Sequence, residues 1–214
     1  MDMKALIESK DANALRETLR KEPALANAGV SLNGDGNGNA HPLHRICDAV
    51  FAKKIMDEDA VEVAKIFLEF GANIDGDLLK GESQTPLIAA ASLHAEKLGI
   101  FYIDSGANIY CVNTAFDGET ALHWAAYCGR DKLTERLIRA KAHINLADAS
   151  YNGTPLAWAL HMLKEGNSFN KHNQLKCIKL LLQAGADIKM LDKSSTDYLY
   201  SLAGDDIELK ALLF

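Results

Sequence analysis

No run of about 18 apolar residues occurs in this chain of 214, and no basic segment followed by an apolar core opens it. A membrane-spanning helix and a secretory leader are therefore not expected, and a cytoplasmic protein is. Cysteine is sparse: the four residues Cys47, Cys111, Cys128 and Cys177 include no Cys-x-x-Cys pair, so all are read as reduced thiols rather than a disulfide framework. Basic charge is also short. Lys and Arg number 23 against 29 Asp and Glu, a net charge of −6, which argues against a nucleic-acid groove and suits a basic protein partner.

Catalytic signatures are missing as well. There is no Gly-x-Ser-x-Gly elbow, no His-Glu-x-x-His helix and no phosphate-cradling Gly-x-x-x-x-Gly-Lys loop. His161 and His172 lie too far apart for a helical metal pair, and no Cys or His shows zinc spacing. In the glycine-rich run from Asn33 to Asn39, Asn33, Asp35 and Asn37 partly imitate a calcium loop, but His44 stands at the twelfth place, where Glu is needed. The chain is expected to be no enzyme and to bind neither metal nor cofactor. Asn152-Gly153-Thr154 matches a glycosylation acceptor that a chain without a leader would leave idle.

Two short signals do recur. The first reads Pro42-Leu43-His44, Thr85-Pro86-Leu87, Thr120-Ala121-Leu122-His123 and Thr154-Pro155-Leu156. The second reads Gly71-Ala72-Asn73-Ile74, Gly106-Ala107-Asn108-Ile109, Lys141-Ala142-His143-Ile144 and Gly185-Ala186-Asp187-Ile188, in steps of 35, 35 and 44. Self-similarity at such a period marks a stacked repeat array. Thr can cap a helix and Pro suits its first turn, while Gly at the helix end accepts a left-handed backbone at low cost.

These residues resemble the ankyrin repeat, most closely at Gly118-Glu119-Thr120-Ala121-Leu122-His123-Trp124-Ala125-Ala126, continuing to Leu137-Ile138 and Ile144-Asn145. The resemblance implies an all-α fold, an ankyrin-repeat solenoid of stacked helix-turn-helix units with hairpin loops and degenerate caps at both ends. One repeat domain spans 1–214, with a cap and glycine-rich hairpin over 1–40, repeats over 41–84, 85–119, 120–153 and 154–195, and a second cap over 196–214. Leu122 and Leu181 fall in the apolar layers. His44 and His123 take the motif position whose imidazole ties backbone between repeats; Ile88 and Ala157 replace it elsewhere.

Thr85 to Gly106 and Thr120 to Lys141 both span 21 residues, whereas His41 to Gly71 spans 30 and Thr154 to Gly185 spans 31. Nine or ten extra residues therefore lie between the helices of the first and fourth repeats. Insertions in repeat arrays map to loops on one face, where they either widen a binding surface or merely lengthen the chain's exterior.

The resemblance further implies a monomeric protein-binding module that engages a partner through a concave groove, including the inhibitor or immunity-type role. A scaffold or adaptor is the alternative, followed by an enzyme or ligand site grafted on the repeats. On the ladder one residue past the motif histidine stand Arg45, Ala89, Trp124, Trp158 and, in the cap, Tyr200; one turn further come Tyr127, Cys128 and His161. With the hairpin residues Phe116 and Tyr151, the candidate contact set is Trp124, Tyr127, Trp158, Phe116, Tyr151, His161, Cys128 and Arg45. Tyr and Trp are favoured in such anchors because they bury a large apolar area while keeping a polar handle. Either tryptophan could instead pack against its own repeat.

Overall fold

The computed structural model describes residues 2–31, 39–76, 84–113, 118–166 and 170–213. Among them the chain is helical throughout, with twelve α-helices and no strand. It forms two compact units, Met1–Asn108 and Ile109–Phe214.

In the first unit the helices pair as α1 (Met3–Ser9) with α2 (Ala12–Lys21), α3 (Pro42–Phe51) with α4 (Asp57–Glu69), and α5 (Pro86–Ser92) with α6 (Glu96–Asp104). First helices pack on first helices, α1 on α3 and α3 on α5, while α2 packs on α4 and α4 on α6. The second unit repeats the pattern. Helices α7 (Ala121–Tyr127) and α8 (Asp131–Arg139), α9 (Pro155–Lys164) and α10 (Lys171–Gln183), and α11 (Lys193–Asp205) and α12 (Ile207–Leu213) form its pairs. Here α7, α9 and α11 form one row and α8, α10 and α12 the other.

The recurring residues explain these elements locally. Thr85 and Thr154 accept the amide protons of Ile88 and Ala157, both at 3.3 Å, so each first helix starts on a hydroxyl cap with proline behind it. In the first repeat His41 takes the threonine's place, accepting from the Leu43 amide through Nδ1. Small residues Ala89, Ala90, Ala91, Ala125 and Ala126 are fully buried, which lets helices approach closely, and Leu122 and Leu181 are buried as the motif requires. Where the helix pairs end, Gly71, Gly106 and Gly185 have φ of 81°, 93° and 90°. Lys141 adopts the same left-handed conformation, at φ 68°, without glycine's freedom from steric cost.

The extra residues of the first and fourth repeats mostly lengthen helices rather than form loops. Helices α3 and α9 have 10 residues against 7 in α5 and α7, and α4 and α10 have 13 against 9 in α6 and α8. The reason is visible at Asp57, in an acidic first turn that complements the helix dipole. Its carboxylate also accepts the Lys97 and Leu98 amides at 2.6 and 3.0 Å, so the insertion caps the neighbouring helix. The glycine-rich run lies outside the described residues from 32 to 38, and part of the second insertion does too, from 167 to 169. Helix α11 starts at Lys193 with Asp192 as its cap, slightly ahead of the expected cap boundary.

Candidate functional site

The candidate site belongs to the second unit. Trp124 and Tyr127 are three residues apart on α7 and so share a face, as do Trp158 and His161 on α9. Because α7 packs on α9, the two faces adjoin. The rings of Trp124, Tyr127 and Trp158 form a mutual cluster. Centroid separations are 5.8 Å for Trp124–Tyr127, 5.3 Å for Trp124–Trp158 and 5.6 Å for Tyr127–Trp158, with interplanar angles of 82°, 81° and 72°. All three rings border one cleft of about 720 Å³, together with Tyr151, His161 and Asp192.

One wall of this cleft is built around Asp148, which is 3% exposed. Its Oδ1 accepts the amides of Ser150 and Tyr151 at 3.0 and 2.7 Å, and its Oδ2 accepts the Gly153 amide and the Trp158 indole N–H, both at 2.9 Å. Burial alone would raise the pKa of this carboxyl, but the bonds from Tyr151, Trp158, Gly153 and Ser150 outweigh it and hold the group below its ordinary value. Gly153 is required here for space. A Cβ on it would stand 2.9 Å from Asp148 Oδ2 and 3.0 Å from Trp158 Cδ1 and Nε1.

The buried His123 supports Trp158 from within the core. Its Nδ1 accepts from the Thr120 amide at 3.1 Å and lies 2.9 Å from the Thr120 hydroxyl, while Nε2 lies 3.2 Å from the Gly153 carbonyl oxygen. Only the neutral ring protonated on Nε2 satisfies both sides. The ring thus ties α7 to the following hairpin and stacks edge-on against Trp158 at 5.4 Å. Burial lowers its pKa to about 4. At His44 the buried Nδ1 has no hydrogen-bond partner among the described residues. His41 makes a different link, its Nε2 lying 3.0 Å from the side-chain Oδ1 of Asn27 in the segment before it.

The predicted contact residues divide. Tyr151 is 82% exposed and His161 is exposed, whereas Trp124, Tyr127 and Trp158 are half-buried against one another. Tyr127 is thus not the open position that its place on the ladder suggests. Cys128 is half-buried rather than exposed, and burial pushes its thiol up to about 11, so it stays protonated at neutral pH. Arg45 corrects the expectation outright: it is 8% exposed, its Nε donates to the Val30 carbonyl at 2.8 Å, and its guanidinium pairs with Asp48. An arginine folded down onto such acceptors presents little of itself to a partner. Phe116 lies outside the described residues.

Several organising roles went unread in the sequence. Asn145 donates from Nδ2 to the Gly185 carbonyl at 3.1 Å and accepts the Asp187 amide at 2.8 Å, clamping one repeat end to the next. Asn27 makes the same pair of bonds to Gly71 and Asn73 at 2.9 and 2.6 Å. The signal for Asp148 was local: an aspartate five residues before a glycine in a short turn, where Asx geometry is common. Among the described residues no group of three or more His, Cys, Asp or Glu could hold a metal ion, and no helix is long and apolar enough to cross a membrane.

Residues 94–192 match the family model of ankyrin repeats, in three copies. Those residues are therefore ankyrin repeats. Ankyrin repeats are protein-interaction modules. Over 112 residues, 52% of its length, the chain is 32% identical to the nuclear factor NF-kappa-B p105 subunit of Gallus gallus. Over 121 residues, 56% of its length, it is 30% identical to ankyrin repeat and SOCS box protein 6 of Mus musculus. These matches span only 10% and 27% of the two relatives, so the likeness concerns the ankyrin repeats and not the whole of either protein.

Proposed function

We propose that this ankyrin-repeat chain binds a partner protein stoichiometrically through the cleft bordered by Trp124, Tyr127 and Trp158, and that it acts by occlusion, as an inhibitor or immunity-type protein does. The carrying observation is the aromatic cluster itself. Three large rings border one cleft of about 720 Å³ beside the exposed Tyr151, and Asp148 fixes the Trp158 wall from behind. Aromatic anchors in partly desolvated pockets carry much of the energy of protein interfaces, and a fixed wall reduces the ordering cost of binding. The net charge of −6 supports a basic partner. A monomer in the cytoplasm is part of the same proposal and rests on the sequence alone.

The test uses a partner captured by affinity purification and then purified. Tyr151→Ala is the cleanest variant because its side chain is almost fully exposed; Tyr127→Ala and Trp158→Ala complete the set. Each is expected to keep the helical circular dichroism spectrum and lose about 2 kcal/mol or more of binding, roughly thirtyfold in affinity. Parental affinity in all three would place the interface elsewhere on the chain.

A further inference from the structure

We propose that the aromatic cleft receives a cationic side chain of the partner, a lysine, an N-methylated lysine or an arginine, with Trp124, Tyr127 and Trp158 as walls and Asp192 as counter-charge. The inference rests on the protein-binding reading above and adds the chemistry of the anchor. Three rings inclined at 72° to 82° to one another all border a single void, so its lining is rich in aromatic surface. The faces of such rings carry the negative end of the quadrupole. The ring centroids lie 5.3 to 5.8 Å apart, so a cation seated against one ring is also near the other two, and cation–π attraction reaches to about 6 Å.

Asp192 decides the charge of the occupant. It borders the same cleft and caps α11, accepting the Ser195 amide at 2.6 Å. That hydrogen bond, with Lys164 close by, holds its carboxyl below the ordinary value, so it is ionised at neutral pH. An anionic side chain would meet both the carboxylate and the ring faces unfavourably. A neutral apolar one would gain nothing from the exposed carboxylate. A cation satisfies both features together, and the acidic chain as a whole favours its approach.

The experiment follows the indole N–H signals of Trp124 and Trp158 by nuclear magnetic resonance in the isotope-labelled full chain. The probes are the N-acetyl amides of lysine, trimethyllysine and arginine, and the neutral isostere of trimethyllysine with carbon in place of the quaternary nitrogen. At least one cation is expected to shift the indole signals saturably, with the neutral isostere about tenfold weaker than trimethyllysine. Asp192→Asn keeps a residue able to cap α11 and is expected to weaken the cations about threefold or more while leaving the isostere unchanged. Equal binding of isostere and cation, or no saturable shift with any of the three cations, overturns the inference. The two readings fail separately. An isostere that binds as well as the cation leaves an apolar protein-docking cleft standing, whereas cations that bind while the Tyr151, Tyr127 and Trp158 variants retain the partner would leave cation recognition without the proposed interface.

Discussion

Acidification should weaken this protein through one buried imidazole before its carboxylates titrate. His123 is 0% exposed, its Nδ1 receives the Thr120 amide proton, and its Nε2 is directed at the Gly153 carbonyl. Protonating Nδ1 would set two donors against each other in a fully buried site. The folded-state pKa is accordingly down at about 4, against about 6.5 for a free histidine. Above pH ~6.5 both folded and unfolded chains carry a neutral ring, and the full contribution to stability is present. As the pH falls from about 6.5 toward 4 the unfolded chain takes up a proton that the folded chain refuses, so stability is lost; below about 4 both are protonated and the loss ends. At about 1.4 kcal/mol for each tenfold difference in proton affinity, the gap amounts to about 3 kcal/mol. Burial lowers the His44 pKa as well, which adds a loss of the same sign in the first unit.

Urea denaturation followed by circular dichroism at a series of pH values between about 7 and 4 measures this directly. His123→Gln supplies the comparison, because Thr-x-x-Gln is itself a capping box and the glutamine can accept the Thr120 amide without titrating. The parent should lose about 3 kcal/mol more than the variant across that range. Equal losses would refute the assignment of a neutral, buried His123 as the origin of the acid sensitivity.

Three further outcomes follow from the packing. Leu122→Ala and Leu181→Ala remove side chains that are 1% and 0% exposed, so each should lower stability by about 2–5 kcal/mol, read as a shifted urea midpoint. Gly153→Ala forces a methyl into contact with Asp148 and the Trp158 indole and should cost about 1–3 kcal/mol, with displacement of the Trp158 N–H resonance as its local signature. Lys141→Gly relieves a left-handed residue and should raise stability by about 0.5–1 kcal/mol; a fall would mean that the lysine side chain contributes packing that outweighs the backbone cost.

The helix pairs were legible because their signals are local. A threonine three residues ahead of an amide that needs capping, or a glycine at a helix end, acts within one turn and needs no knowledge of the rest of the fold. The site was less legible because exposure depends on neighbours. Tyr127 sits at an outward position of its own helix, yet Trp158 from the next first helix covers it. Arg45 occupies the same ladder position as Trp124, but it has Asp48 one turn along and the Val30 carbonyl within reach, and it turns inward. Asp148 carries a local turn signal in its spacing to Gly153, but the Trp158 indole that completes its four donors comes from the next helix and is a property of the folded hairpin. The insertions were misread as loops for a related reason. Length differences show where residues are added, whereas Asp57 reveals its purpose only through the amides of the adjoining helix.

Trp124 and Trp158 are also the chain's only two tryptophans, and both lie in the 109–214 unit. Light absorbed in the indole band therefore interrogates one half of the molecule and is blind to the other. A thermal melt recorded by tryptophan emission follows the second unit alone, whereas far-ultraviolet ellipticity averages the helices of both. Superimposable curves would identify a single cooperative transition, and displaced curves would identify two units that unfold independently. The same placement makes emission from an unmodified sample an optical gauge of the aromatic cleft.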